Sequence, residues 1–535
     1  MRRFPVILLC ILLFVTLLPG CGSVSSSKEL ALDTKGMVFD APDDNYRVFY
    51  EIFTGSFSDS DGDGVGDLPG ILKRLDYLND GNPASGRSLG IEGIWLTPIF
   101  SSPSYHKYDV TDYYTVDKQF GTLEDLQALI DACHKRGVKL ILDLPLNHTG
   151  DRCEWFRSFC SAHQSGDSES PWYDFYSYVT MEQGSNAPGG YHQIGKTRDF
   201  YECNFSDSMP ELNFDNDAVR QEMLNVARFY LDMGVDGFRF DAAKYVYFGD
   251  NARSSAFWDW YLAELKAIKP DIYTVAEVWD ADVVTDEYYS AVNCFDFTTS
   301  QTSGLIAGAA QHGKVSAYTG YVDSYLDRIH AIREDAMIVP FIANHDTDRA
   351  AGYLTVASGS MKTAANLYLL SSGSPFIYYG EELGMRGSRG GANTDANRRL
   401  AMVWGDGDTV ADPEGTTYNP AKQVQETASD QMMSADSLYS YYKKLLLIRA
   451  AHPAIARGDY TPVTIPGSKL GGFVAEWEGE RVCVLHNTTL DSASLDLAAL
   501  GLEGFALSDS IGVAEASLEG GVLLLGSQTS AVLVG

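Results

Sequence analysis

From about position 46 the chain repeats one unit: a short apolar run bounded by turn residues, followed by a longer stretch with helical periodicity. The apolar runs fall at 47–53, 91–96, 138–144, 235–241, 272–277, 294–297, 337–344 and 375–379. Each is too short for a buried helix and is apolar on both faces, as a strand covered on both sides must be. Between them, Leu123, Leu126, Ile130 and Cys133 share one helical face, as do Val219, Met223, Val226 and Tyr230. Strands alternating with helices pair in parallel, because each crossover returns the chain to the same edge. Eight such units predict an α/β fold, a closed (β/α)8 barrel built from 41–148 and 210–450. A barrel of this kind assembles its site at the C-terminal ends of its strands.

Two stretches depart from the rhythm. Positions 149–209 are rich in Ser, Gly and aromatic residues and far exceed an ordinary strand-to-helix loop, so they read as a subdomain inserted after strand three, overhanging the barrel mouth. After Pro453 and Gly458 the segment 451–535 alternates short β-like runs, 472–477 and 481–486 among them, with Gly turns, which predicts a C-terminal β-sandwich. At the other end Arg2 and Arg3 precede an apolar run over 4–18, too short for a comfortable membrane span. Leu18-Pro19-Gly20-Cys21 then resembles the lipobox of bacterial lipoproteins. The reading is a signal peptide over 1–20, lipidation at Cys21 and a polar tether over 21–40. It implies a monomer exported and anchored to the bacterial cell membrane or outer membrane, touching lipid only through Cys21. Of the remaining cysteines, Cys133 reads as a buried thiol, whereas Cys153 and Cys160 lie close enough in a loop-rich stretch to pair.

A formal charge of −32 repels polyanions over most of the surface and excludes a nucleic-acid partner. A neutral substrate fits better, and the 31 Tyr and 8 Trp offer flat faces on which a sugar ring can stack with its hydroxyls still bonded. The chemistry carriers stand where a barrel would use them. Strand three ends Asp143-Leu144-Pro145-Leu146-Asn147-His148, and strand four ends Arg239-Phe240-Asp241-Ala242-Ala243-Lys244. Strand five ends Glu277-Val278-Trp279, and strand seven ends Asn344-His345-Asp346. A lone Asp at a strand end is commonly a helix cap. Four such ends in barrel order aim carboxylates, two imidazoles and a guanidinium at one mouth.

These four segments, in this order, resemble the four sequence regions of the alpha-amylase family of glycoside hydrolases (family 13), whose members have a TIM barrel. Met209-Pro210-Glu211-Leu212-Asn213 is similar to the family's fifth region in the branch between oligo-1,6-glucosidases and neopullulanases. The resemblance makes Asp241 the nucleophile, Glu277 the general acid/base and Asp346 the transition-state stabiliser. Retaining hydrolysis of a glycosidic bond needs that division: one carboxylate attacks the anomeric carbon while a second carboxyl, about 5–5.5 Å away, protonates the leaving oxygen. Arg239, two residues before Asp241, projects to the same side and can keep the nucleophile ionised. Glu277 must keep its proton, for which desolvation by Trp279 is suited. By the same resemblance His148, His345 and Lys244 contact the sugar, and Tyr108 stacks beneath the reacting ring. In exo-acting relatives an Asp at the place of Asp109 pairs with an Arg aligned with Arg399, closing the non-reducing end.

One further constellation points to a metal. Asp59, Asp61, Asp63, the Val65 carbonyl and Asp67 alternate as oxygen ligands of a hard cation do, and the same loop after strand one holds a structural calcium in oligo-1,6-glucosidase-like members. The closing Glu of an EF-hand would fall at Gly70, so this is not that motif. The resemblance places a second calcium beside Asn147, but Glu211 and Tyr245 stand where an Asp and a His are usual. Glu381, Glu382 and Asp296 stay outside the catalytic set. The expectation is an endo-acting hydrolase of α-1,4-glucosidic bonds in starch, glycogen or maltodextrins (an alpha-amylase). Its rivals are an exo-acting α-glucosidase, oligo-1,6-glucosidase or glucanotransferase on the same scaffold, and a noncatalytic glucan-binding lipoprotein.

Overall fold

The structure, a computed structural model, describes residues 30–37, 39, 42–184, 189–355, 357–390, 395–466 and 468–535. The signal segment, Cys21 and most of the tether lie outside the described residues, and no described helix is long and apolar enough to cross a membrane.

Seven parallel strands form one curled sheet: β1 (Phe49–Ile52), β2 (Gly93–Leu96), β3 (Lys139–Leu144), β4 (Gly237–Phe240), β5 (Tyr273–Ala276), β6 (Asn293–Cys294) and β7 (Phe376–Tyr378). Their order is β6-β5-β4-β3-β2-β1-β7. The segment 339–341 fills the remaining stave through single parallel bridges, Phe295 to Val339 and Phe341 to Phe376, and so closes the ring between β6 and β7. The barrel expected from eight apolar runs is therefore present, with its seventh stave reduced to isolated pairs. Alternation decides what points inward: Phe49, Trp95, Ile141, Tyr273, Val275, Phe295, Val339, Phe341 and Phe376 pack together as the lumen. Gly237 at the start of β4 has no side chain to add there, and a Cβ would collide with the Tyr273 carbonyl.

The predicted helical faces are buried. Leu126, Ile130 and Cys133 of the helix Leu123–His134 point into the core, as do Val219, Met223, Val226 and Tyr230 of the helix Asp217–Asp232. Thr122 and Asp125 cap the first of these reciprocally. The stretch after β3 carries the helix Glu154–Ser165 and three short antiparallel strands, Tyr178–Thr180, Tyr191–Gln193 and Asp199–Glu202. The loop-rich reading around Cys153 and Cys160 is thus corrected. Cys153 caps that helix and Cys160 lies within it, so the two are separated by roughly 10 Å along the axis, beyond disulfide reach. All six described cysteines are free thiols, Cys133 and Cys153 among the buried ones. The C-terminal part stacks a five-stranded antiparallel sheet on a three-stranded one, with Leu485, Leu523, Leu525 and Leu533 between them.

Candidate active site

Alternation along the strands also builds the mouth of the barrel. Tyr273 and Val275 line the lumen, so the next residue on that face of β5 is Glu277; the same step carries Gly237 to Arg239 and Asp241, Ile141 to Asp143, and Phe49 to Glu51. Register then brings these together, because Asp143 and Val275 both pair with Arg239 across the ladder.

Arg239 is fully buried and sits at the centre. Its Nη1 lies 2.6 Å from Asp241 Oδ1 and 2.9 Å from Asp143 Oδ1. Its Nη2 lies 2.9 Å from Glu277 Oε2, an ion-pair contact outside hydrogen-bond alignment. One guanidinium therefore fixes three carboxyl groups, with Trp95 5.1 Å beneath it. Glu277 also accepts from the Ala242 N–H at 3.0 Å. Ala242 points that N–H from a left-handed backbone (φ 46°), a strained conformation for a residue with a Cβ, immediately after Asp241. Burial, with Asp241 and Asp346 nearby, pushes the Glu277 carboxyl up to about 7 against the pull of Arg239. Burial raises Asp143 to about 7 in the same way. The group thus contains a carboxyl that holds its proton near neutrality beside one that is tightly ion-paired.

Asp346 has a different environment. Burial opposes its ionisation, but His345, then Arg399 and Arg239, hold its carboxylate well below the usual range. His345 Nε2 is 3.0 Å from its Oδ2 and Arg399 Nη2 is 2.6 Å from its Oδ1. Tyr108 closes the ring: its hydroxyl donates to Asp143 at 2.9 Å and lies 2.7 Å from His345 Nε2. His148 is buried and pushed down to about 4 by that burial, so its ring is neutral; Nε2 faces the Tyr108 carbonyl at 3.1 Å and Phe205 lies against its edge. Lys244 stands further out, bonded to the Trp279 carbonyl and to Asp280, both at 2.9 Å. Trp279 is 41% exposed and stacked on Phe297, which makes it an open flat face two residues from Glu277.

The structure corrects one pairing. Arg399 is committed to Asp346, to the Tyr105 hydroxyl and to the His345 carbonyl, while Asp109 accepts from the hydroxyls of Ser102 and Ser104. Asp109 and Arg399 are not ion-paired, because Asp346 is the nearer anion. Glu51 is the site residue that sequence reasoning missed. It is 1% exposed, and its Oε1 is 2.6 Å from His345 Nδ1. An acid in the middle of the apolar run Phe49-Tyr50-Glu51-Ile52-Phe53 was the available signal.

In the loop after β1, carboxylate oxygens of Asp59, Asp61 and Asp67 lie within 4.8 Å of one another, a spacing one hard cation can bridge. Asp63 stays outside this group, exposed and accepting from the Val65 N–H, so the five-ligand set expected from alternation is assembled only in part. Asp67 also accepts from the Gly70 N–H and caps a helix, a second task that holds it in place. Beside Asn147, Glu211 is buried and pushed up to about 8 by that burial and by Glu202.

Residues 51–458 match the family described as the alpha amylase catalytic domain. Alpha-amylase 3 of Dictyoglomus thermophilum is 35% identical over 444 residues, covering 82% of this chain and 84% of that protein. The 4-alpha-glucanotransferase of Thermotoga neapolitana is 32% identical over 353 residues, covering 65% of this chain and 74% of the other. The solved structure of Eubacterium rectale Amy13B superposes with a TM-score of 0.86 at 35% identity, covering 93% of this chain and 97% of that one.

Proposed function

The chain belongs to the alpha-amylase family of glycoside hydrolases, and within that family we propose that it is an endo-acting α-amylase cleaving α-1,4-glucosidic bonds of starch, glycogen or maltodextrins by double displacement. The observation that carries this reading is the shared guanidinium of Arg239, which holds Asp241 and Glu277 side by side in different environments. Asp241, tightly ion-paired to Arg239, is the nucleophile on the anomeric carbon. Glu277, protonated near neutrality, gives its proton to the leaving oxygen and then takes one from water. Asp346, held ionised by His345 and Arg399, faces the positive charge that develops on the flattened ring. His148, His345 and Tyr108 would contact that ring, and Lys244, bonded to the Trp279 carbonyl, stands further out beside Glu277.

Endo action is favoured over a blind pocket by the freedom of Asp109 from Arg399 and by the open face of Trp279 beyond the acid. The glucanotransferase similarity supports the alternative, in which a sugar rather than water accepts the glycosyl group. Calcium is proposed as a structural ion held by Asp59, Asp61 and Asp67, where it would neutralise three clustered charges. Export and lipid anchoring through Cys21 remain part of the proposal, resting on the N-terminal sequence. The test is the time course of products from soluble starch and maltoheptaose. Early mixtures of mid-length maltodextrins are expected. Release of glucose or maltose alone from one end would replace the endo reading, and products longer than the substrate would replace hydrolysis with transfer.

A further inference from the structure

Glu51 is a buried acid on β1 that the reaction scheme above does not use. Its hydrogen-bond partner is His345: its Oε1 accepts both from Nδ1 at 2.6 Å and from the His345 backbone N–H at 3.2 Å, while Tyr378 and Trp95 flank it on the neighbouring strands. The rest of the surroundings of that ring can be followed group by group. Trp95 of β2 meets it edge-on at 5.6 Å, and Tyr108 stacks on it at 5.6 Å. Asp346 lies 3.0 Å from Nε2, Asp143 lies behind the Tyr108 hydroxyl, and Arg399 donates to the His345 carbonyl at 3.1 Å.

Carboxylates stand at both ring nitrogens and favour a doubly protonated ring. Nδ1 faces a carboxylate oxygen and so carries a proton. Nε2 lies 3.0 Å from Asp346 Oδ2 and 2.7 Å from the Tyr108 hydroxyl, and the carboxylate favours a proton there over a lone pair. With Asp143 ionised, Tyr108 fits this direction: its O–H is given to Asp143, which leaves its oxygen to accept from Nε2. Burial alone would lower the imidazole, but Asp346 and then Glu51 pull it up to about 10.

We propose that Glu51 is a positioning residue that, together with Asp346, keeps His345 a cation with Nε2 always a donor toward the sugar at the point of cleavage. This role rests on the assignment of that site to glycosidic cleavage and lies outside the catalytic acids. With a neutral partner in place of Glu51, the ring would have one counter-ion that it already shares with Arg399. It would lose its second proton at lower pH, and with it the donor that strengthens as the sugar ring flattens.

The test is Glu51→Gln in the full chain, which keeps an oxygen for Nδ1 and removes the charge. The imidazole of His345 is followed by NMR of 15N-histidine-labelled protein and assigned by loss of its signal in His345→Gln. The wild-type ring is expected to stay protonated past pH 8. In Glu51→Gln it should titrate at least one pH unit lower, and kcat on maltoheptaose should fall roughly 10-fold or more with KM little changed. Glu51→Asp, which keeps the charge, should keep the cationic ring. An unchanged titration in folded Glu51→Gln, or a neutral ring in the wild type or in Glu51→Asp, would overturn the proposal. Because the NMR readout needs no turnover, absence of glucan cleavage in the wild type would remove the functional reading while leaving this one to its own result.

Discussion

The barrel buries acids in two places that differ in what faces them. At the mouth, Asp143, Asp241, Glu277, Asp346 and Glu51 surround two guanidiniums and an imidazolium, and the side chains of Asp241, Glu277 and Asp346 remain 11%, 12% and 30% exposed. Behind the eighth stave, Glu381 and Glu382 have no ion pair among the described residues, and Arg349 pulls on both without contact. Glu381 accepts from Tyr368 and Tyr442, at 2.7 and 2.8 Å, and Glu382 from Tyr50 and Tyr77, at 2.8 and 2.6 Å. Burial pushes Glu381 up to about 7, as it does Glu277. A shifted acid at a strand end therefore does not by itself mark a catalyst. What separates the two places is access for a substrate and an opposite charge that keeps neighbouring acids ionised.

The largest expected effect sharpens that contrast directly. Asp241→Asn and Glu277→Gln should each cut turnover roughly 10³-fold or more while the melting curve moves little, whereas Glu381→Gln should leave kcat within about threefold. Glu382→Ala should do the reverse. It leaves the hydroxyls of Tyr50 and Tyr77 without their acceptor in the core, which costs about 2–4 kcal/mol in urea unfolding with kcat per folded molecule preserved. If Glu382→Ala silenced a folded enzyme, the division between the two acid groups would fail.

The pH dependence separates them again. Glu277 works protonated, so kcat/KM should fall about tenfold per unit as pH rises beyond about 7. Glu381 affects stability instead. Its folded value of about 7 lies above the ordinary 4.5, so its contribution is full below pH 4.5 and is lost as pH rises to about 7. Glu381→Gln should flatten that part of the stability curve, read by denaturant titration at successive pH values. A third acid group, Asp59, Asp61 and Asp67, has two buried members and one exposed one, and the buried carboxylates accept from backbone N–H groups and the hydroxyls of Ser60 and Thr409. Chelation should lower its melting temperature by a few degrees through lost linkage, without direct loss of the reaction carboxylates. An unchanged melting curve after verified metal removal would count against calcium there.

Much of the barrel was legible because helical and strand periods differ, and alternation along a strand tells which acids share a face. Arg239 and Asp241 could be placed together from that alone, Glu277 joined them through the order of the strand ends and the family resemblance, and Asp143 stands at its strand end in the sequence without a role. The rest depended on facts that period does not carry. The seventh stave reads as a long apolar run but pairs only at Val339 and Phe341. The resemblance pairs Arg399 with Asp109, and only folding shows that its ion-pair partner is Asp346. Asp63 keeps the alternation of the acidic loop yet turns outward to the Val65 N–H. Glu51 is an acid inside an apolar strand whose partner, His345, stands 294 residues further along the chain, which no local period reports.

The most direct test of the central claim is to trap the covalent intermediate. Glu277→Gln would be reacted with α-maltosyl fluoride, whose leaving group needs no acid, and the digested protein examined by mass spectrometry. The account predicts one maltosyl group on the peptide carrying Asp241, at that carboxylate. A maltosyl group on any other residue, or rapid release of product with inverted anomeric configuration and no adduct, would contradict it.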